Sequence, residues 1–285
     1  MADTFIMGAV AYDPKVVTIW DGFRRWFDAQ GFAFDYVLYS NYERQVEDLL
    51  AGRIHAAWNS PLAWVRADRL ARASGGQVQA LAMRDSDCDL RSVIVVLSRS
   101  SVAEVADLKG KTVATGAVDS PQSTLLPLDH LRALGLEAGN DFTVRRFDVG
   151  VGLHGDHLGG ERDAAAALAA GAVDAACMID SNHLLFSREG TLPAGSTRIL
   201  AETGAFDHCN MTAGAGAPRE LTDRFTELLL AMDYGDPEVR PLLDLEGLKQ
   251  WRPGRVSGYA ALEQAVDHDR FYDAQGAITA DDYRP

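Results

Sequence analysis

The feature that most narrows the fold of this chain is an order of elements that occurs twice. Leu50-Ala51-Gly52-Arg53-Ile54-His55-Ala56-Ala57 and Ala169-Ala170-Gly171-Ala172-Val173-Asp174-Ala175-Ala176 both read as the end of a helix, a glycine stop and the start of an apolar strand. Alanine-rich octapeptides coincide by chance, but the elements on both sides match as well. We therefore read the two as equivalent units, one in each half of the chain.

In the first half a strand over Thr4 to Ala11 precedes a helix from Pro14 to Ala29. Val16, Ile19, Trp20, Phe23 and Phe27 fall on one face of that helix and are core. Strand Phe34 to Tyr39, helix Tyr42 to Leu50 and strand Ile54 to Trp58 follow. The later half runs strand Thr112 to Thr115, helix Pro121 to Leu134, strand Phe142 to Phe147, a glycine-rich loop, helix Arg162 to Ala170 and strand Val173 to Ile179. Strands alternating with helices imply parallel sheets. Two long extended stretches, Ser92 to Ser98 and Phe206 to Ala213, bracket the second half as two crossings between lobes would. The expected division is 1–94 with 208–285 as one discontinuous lobe, its tail returning to cover it, and 95–207 as the other. The fold class is α/β: two lobes, each a mainly parallel sheet flanked by helices, with a ligand cleft between them.

The 285 residues suffice for one large or two medium domains. With 27 basic against 41 acidic side chains, net charge −14 and no basic stripe, no nucleic-acid or anionic-membrane partner is expected. No apolar run reaches the roughly 18 residues of a membrane span, and the first residues lack a basic n-region. As written the chain reads as cytoplasmic; the alternative is an exported protein, periplasmic or lipid-anchored, whose signal has been removed. Cys88, Cys177 and Cys209 are odd in number, without a CxxC pair, which argues against disulfides and a thiolate metal knuckle. No phosphate loop, dinucleotide fingerprint or nucleophile elbow occurs, and no cofactor is expected.

In open parallel sheets ligands sit beyond the carboxyl ends of the strands. Three such ends carry a capping side chain followed by proline: Asp13-Pro14, Ser60-Pro61 and Ser120-Pro121. Helix N-termini converging on a cleft suit an oxyanion; each cap alone can also be merely structural. Asn59, Gln122 and Ser123 add neutral donors around Ser60 and Ser120. Tyr12, Tyr42 and Trp58 stand near strand ends and can bound a ligand, with a core role equally open for Trp58. Asp180, at the corresponding end in the second half, can hold an amine or cap the next helix. In the glycine-rich loop, one of His154 and His157 is read as a donor to the ligand; a metal set of His154, Asp156, His157 and Glu161, completed by His183 or His208, is the competing reading. His208 lies on the second crossing strand and can point into the cleft. Adjacent strand residues face opposite sides, so His208 and Cys209 are not expected to pair with each other. Cys177 is read as core.

Asn41 to Val46 and Leu50 to Val65 resemble the first-lobe motif of phosphate/phosphonate-type solute-binding proteins of ABC importers. Leu108 to Ala114, Asp119-Ser120-Pro121-Gln122-Ser123 with Pro127, and His157 followed by the helix ending at Gly171 resemble further stretches of that family in its order. The resemblance implies the type 2 periplasmic-binding fold, hinge closure on a small, anionic, phosphonate-like or carboxylate ligand, and a permease partner. It carries over Tyr42, Ser120 and the loop histidine as contacts. Ser-Pro-Gln-Ser replaces the family's serine-threonine-serine-glycine clamp, His55 replaces an aspartate, and Asn59-Ser60 replaces a glycine, departures with which an elongated or amide-bearing anion is still compatible. The alternative function is a cytosolic lyase or dehydratase on the same scaffold, as in chorismate dehydratase or the thiamine-pyrimidine synthase, with His157, Asp180 and His208 as acid–base candidates.

Overall fold

The structure, a computed structural model, describes residues 4–155 and 160–285. The chain separates into two compact units, one of Met1–Cys88, Asp207–Tyr259 and Tyr272–Ala277, the other of Asp89–Phe206, Ala260–Phe271 and Ile278–Pro285. The crossings therefore fall at 88/89 and 206/207, and most of the tail beyond Tyr259 groups with the second unit, whereas the sequence reading gave all of 208–285 to the first.

In the first unit β1 (Phe5–Val10), β2 (Phe34–Tyr39), β3 (Ala56–Asn59) and β4 (Gln79–Arg84) alternate with α1 (Lys15–Ala29), α2 (Tyr42–Leu50) and α3 (Pro61–Ala73). The second unit holds β5 (Ser92–Leu97), β6 (Thr112–Thr115), α4 (Leu126–Ala133), β7 (Thr143–Arg146), α5 (Glu161–Ala169), β8 (Ala175–Ile179), α6 (Asp180–Glu189) and β9 (Thr197–Glu202). The chain then returns through β10 (Asn210–Ala213), α7 (Arg219–Leu230), α8 (Arg240–Glu246) and β11 (Trp251–Pro253) to the first unit, and α9 (Ala260–His268) belongs to the second. Among the described residues no helix is long and apolar enough to cross a membrane.

The first sheet has the order β11-β4-β10-β3-β1-β2, with β1 parallel to both neighbours and β10 antiparallel to β3 and β4. The second has the order β7-β6-β8-β5-β9, in which β5 runs antiparallel to β8 and β9. Each sheet is thus a βαβ set entered by a reversed strand that lies next to a crossing. The aromatic stripe of α1 closes one face of the first sheet, where Phe225 stacks on Phe5 at 4.4 Å and on Phe34 at 5.9 Å between ring centroids. Each such buried ring contributes roughly 1.5–3 kcal/mol. In β5 both faces are buried by alternation, Val93 and Val95 against Ala165 and Leu168, and Ile94 and Val96 against Leu131 and Phe142.

The repeated octapeptides prove equivalent bond for bond. His55 N–H donates to Ile6 O at 2.8 Å and His55 Nδ1 accepts from Ile6 N–H at 2.9 Å. Asp174 N–H donates to Thr112 O at 2.9 Å and Asp174 Oδ2 accepts from Thr112 N–H at 2.8 Å. The imidazole does in one unit what a carboxylate does in the other: it caps the first amide of the neighbouring strand. That requires Nδ1 to be bare and the ring proton to sit on Nε2.

One element departs from the sequence reading in a way that bears on function. The helix expected over Pro121 to Leu134 opens with a π turn, Pro121–Leu125, before α4 begins. Pro127 lacks the N–H that a continuous α-helix would send to the Ser123 carbonyl, and its ring would crowd that carbonyl. A widened turn relieves the crowding.

Candidate functional site

Ser120 is wholly buried and caps the π turn. Its Oγ accepts from Ser123 N–H at 3.3 Å and from the Ser123 hydroxyl at 2.7 Å. The two hydroxyls spend one proton on each other, so the second has no acceptor among the described residues. Gln122, also buried, donates through Nε2 to Gly155 O at 2.8 Å, while its backbone carbonyl accepts from the Ser92 hydroxyl at 2.5 Å. A backbone carbonyl can only accept, so the amide orientation is settled and Gln122 Oε1 is left buried without a partner among the described residues. Pro121 offers no N–H, which makes Gln122 N–H the first free donor of the turn.

Asp119, quoted in the family-like motif but given no role there, accepts through Oδ2 from Gly152 N–H at 2.6 Å and His154 N–H at 3.1 Å, and its Oδ1 is buried without a partner among the described residues. Burial raises its pKa, against the lowering influence of His154 and of the amides. Gly155 has φ +71°, and a Cβ there would stand 2.2 Å from Ser120 Oγ and 3.0 Å from Gln122 Nε2. The glycine-rich loop is therefore packed directly on the turn, and glycine is the residue that lets it approach.

His154 does not lie open to a ligand in this unit. Its ring is fully buried, with Nε2 3.2 Å from the Tyr283 hydroxyl, and its backbone sits at φ +52°. Its partner in the sequence reading, His157, lies outside the described residues, as does Asp156. Of the competing metal set, Glu161 is buried and accepts through Oε2 from Ile179 N–H at 3.1 Å and Asn182 Nδ2 at 2.8 Å, while His183 Nε2 lies 3.1 Å from Thr197 Oγ1. Glu161 thus ties α5 to β8 and α6, and His183 ties α6 to β9. Asp180 is exposed at the start of α6 and accepts from Ser181 N–H at 2.6 Å.

In the first unit Ser60 caps α3 by accepting from Ala63 N–H at 3.1 Å. Its neighbour Asn59 is the middle of a buried chain: Gln45 Nε2 donates to Asn59 Oδ1 at 2.9 Å, Asn59 Nδ2 to Thr212 Oγ1 at 2.9 Å, and Thr212 Oγ1 to Asn210 Oδ1 at 2.7 Å. Asn210 Nδ2 then donates to the Tyr259 hydroxyl at 2.9 Å, which donates to His208 O at 2.9 Å. The amide of Asn59 is thus committed to joining β3 to β10. Tyr42 is buried at the first position of α2, capped by Asn41. Tyr12 is half-buried with the Lys15 ammonium 5.7 Å from its ring centroid. Trp58 is core, meeting Trp251 edge-on at 5.6 Å and carrying the Arg84 guanidinium at 5.2 Å. Cys177 is core, with its thiol pushed up to about 12 by burial.

His208 and Cys209 correct the sequence reading. They were expected to face opposite sides of a strand, yet His208 Nδ1 lies 3.1 Å from Cys209 Sγ. β10 starts at Asn210, so these two residues precede the strand and its alternation does not govern them. Asp87 joins them, with Oδ1 3.6 Å from His208 Nδ1. Burial alone would raise the Asp87 pKa, but Arg84, bound at 2.6 and 2.9 Å, holds it down at about 2.

A cavity of about 460 Å³ opens in the second unit among Thr124, Leu128, Arg132, Arg146, Asp269 and Asp282. Its arginines do not make it an anion site, because Arg132 is held by Asp129, Glu137 and Asp269 at 3.1, 3.1 and 2.6 Å, and Arg146 by Asp148 and Asp282.

Comparison with known proteins places this architecture. The family profile described as the phosphonate periplasmic substrate-binding protein of ABC transporters matches residues 8–259. Among solved structures, PhnD1 from Prochlorococcus marinus in complex with methylphosphonate is similar at TM-score 0.67 and 18% identity, over 93% of this chain and 97% of that one. A Xanthomonas citri protein bound to ATP is similar at TM-score 0.73 and 15% identity, over 95% and 100%. The periplasmic aliphatic sulphonate binding protein SsuA from Escherichia coli is similar at 0.59 and 19%, over 96% and 93%. At these identities the likeness shows the two-lobed fold. An uncharacterized Haemophilus influenzae protein is 45% identical over 42 residues, which is 15% of this chain and 59% of that relative's own length. The family match, spanning most of the chain and both units, is the decisive one: this chain belongs to the phosphonate-type periplasmic substrate-binding proteins of ABC transporters.

Proposed function

We propose that this protein is the substrate-binding component of an importer, and that it captures a small oxyanion at the π turn Pro121–Leu125. The observation that carries the reading is the unspent donor capacity of that turn: one hydroxyl proton of the Ser120–Ser123 pair and the first free amide, at the positive end of a helical segment. Ser120, Gln122 and Ser123 supply the primary contacts. Asn59, Ser60 and His154 act as scaffold, since their polar atoms hold the chain together. Asp180, exposed at the start of α6, is the candidate for an amine on the ligand. A permease is the partner and the periplasm the working compartment.

Gln122 Oε1 sharpens the ligand class. A buried acceptor beside anion donors is satisfied by a ligand that is negative and still carries a proton. A phosphate or phosphonate can supply it: with a last pKa of about 6 for a phosphomonoester, about a tenth still carries the proton at pH 7 and the site can retain that form, whereas a sulfonate has no proton to keep. Titration calorimetry with alkylphosphonates, phosphate, alkylsulfonates and carboxylates tests this. The reading expects phosphonates to bind at least about tenfold, or 1.4 kcal/mol, more tightly than sulfonates of matched length. Equal or tighter sulfonate binding sinks the role of Gln122, and silence toward every oxyanion sinks the whole reading.

A further inference from the structure

A second site of quite different chemistry lies in the core of the first unit. Asp87 ends the short 3-10 turn after β4, and His208 and Cys209 lead into β10; His208 N–H donates to Asp87 O at 2.8 Å, which brings the two segments side by side. The three residues are 2%, 9% and 2% exposed. One oxygen, one nitrogen and one sulfur converge there with all three atoms within 4.8 Å of one another.

The arrangement is not that of a nucleophile relay. In such a relay the thiol and the carboxylate use opposite nitrogens of the imidazole, so that a proton can pass along the line. Here both approach the same nitrogen: Sγ at 3.1 Å and Oδ1 at 3.6 Å from His208 Nδ1. Three donor atoms crowding one point is how ligands stand around an ion. Metal bonds of about 2.0–2.3 Å at tetrahedral angles separate nitrogen from oxygen or sulfur by roughly 3.3–3.6 Å, and the observed spacings bracket that range.

We propose that Asp87, His208 and Cys209 form a three-ligand site for a borderline transition-metal dication of the zinc type, with a solvent molecule completing the tetrahedron. Thiolate and imidazole select such an ion over magnesium and calcium, which take all-oxygen sets. The surroundings support the carboxylate ligand: Arg84 grips Asp87 through Nε and Nη2 at 2.6 and 2.9 Å, fixing its orientation as the outer partner of a ligating carboxylate does. Arg84 Nη1 also lies 3.4 Å from Glu246 Oε1, so one guanidinium faces two carboxylates and leaves no excess positive charge to repel a dication. The ligands sit next to the two places where the chain passes between units, after Cys88 and before Asp207. The metal therefore pins the two crossing segments to each other.

The test uses the full-length, tag-free protein, reduced, stripped with chelator and titrated with Co(II). The expected result is a thiolate-to-cobalt charge-transfer band in the near ultraviolet that saturates at one equivalent, is displaced by Zn(II), and is accompanied by a Zn(II)-dependent rise in Tm. Cys209→Ser abolishes the band, His208→Gln weakens cobalt binding at least about tenfold, and Cys88→Ser and Cys177→Ser leave it intact. A wild-type protein that shows no stoichiometric band overturns the proposal, and so does a band that persists in Cys209→Ser. Because the wild-type titration decides by itself, a variant that fails to fold does not shelter the idea.

Discussion

The two units carry the same device, a serine and a proline opening a helix at the end of a strand, and use it differently. In the first unit Ser60 opens a regular α-helix, and its neighbour Asn59 is bound on both its oxygen and its nitrogen by Gln45 and Thr212. In the second, Ser120 opens a π turn whose hydroxyl pair, Gln122 Oε1 and Asp119 Oδ1 leave polar capacity unspent in the interior. Buried polar groups are rarely left unpaired. In the proposed function the cluster in one turn is what receives the oxyanion, while the saturated copy holds the protein together. The first unit also holds such atoms, Gln45 Oε1 and Trp251 Nε1 among the described residues, but they lie on separate elements, α2 and β11, rather than together in one turn.

The sharpest way to break this contrast is Gly155→Ala, which has no counterpart in the first unit. The added Cβ must push Ser120 Oγ away from 2.2 Å at a backbone φ of +71°. Anion affinity should fall by roughly 100-fold or more, with a loss of stability of about 1–3 kcal/mol for the strain. Calorimetry and urea unfolding read the two effects; an alanine variant that binds normally would remove the loop from the site.

Asn59→Ala should do the reverse. It strands Gln45 and Thr212 in the core and should cost about 1–3 kcal/mol in urea unfolding, because buried partners lose their hydrogen bonds. Affinity measured on the folded fraction should change by less than about threefold. A large loss of affinity without a loss of stability would move Asn59 from scaffold to ligand contact.

Asp119 adds a pH dependence peculiar to the second unit. Its folded pKa is raised by burial, so in the folded chain it holds its proton to higher pH than an exposed aspartate. Above that pKa the charged form opposes both folding and a nearby anion; as pH falls through it, protonation removes the penalty. Affinity for a sulfonate, whose own charge is constant, should thus rise as pH falls through the raised Asp119 pKa, and Asp119→Asn should flatten the slope. An unchanged slope in that variant assigns the titration elsewhere.

The smallest effect concerns the repeat itself. His55→Asp gives the first unit the side chain that the second already uses at Asp174, with an acceptor for the same amide. Stability at pH 7 should stay within about 1 kcal/mol of wild type, whereas His55→Leu, which leaves Ile6 N–H without its acceptor, should lose more in the same urea assay.

Most of the architecture was legible because its signals are local. Periodicity and glycine stops locate β2, α2 and β6 to the residue. The strands β4 and β9 escaped, since Gln79–Arg84 and Thr197–Glu202 mix polar and apolar residues without clean alternation and owe their place to pairing with distant strands. The division of the tail was likewise invisible, being decided by what α9 packs against. In the site, Ser120, Gln122 and Ser123 were readable from the cap motif, but Asp119 and the close approach of Gly155 were not. Their roles arise from contacts across about 33 to 35 positions of sequence. The pairing of His208 with Cys209 was misread for a similar reason: where a strand begins is set by its neighbours, and alternation applies only inside it.

The most direct test of the account is a titration of methylphosphonate into wild type, Ser120→Ala and Ser60→Ala, with Tm measured on the same samples. The account predicts that Ser120→Ala weakens binding by roughly tenfold or more, a hydrogen bond to a charged group being worth about 1.5–3 kcal/mol, on top of the stability that any lost cap costs. Ser60→Ala should lower stability by about 1 kcal/mol, the value of a lost helix cap, but leave affinity near wild type. The opposite pattern, with binding lost at Ser60 and kept at Ser120, would contradict it.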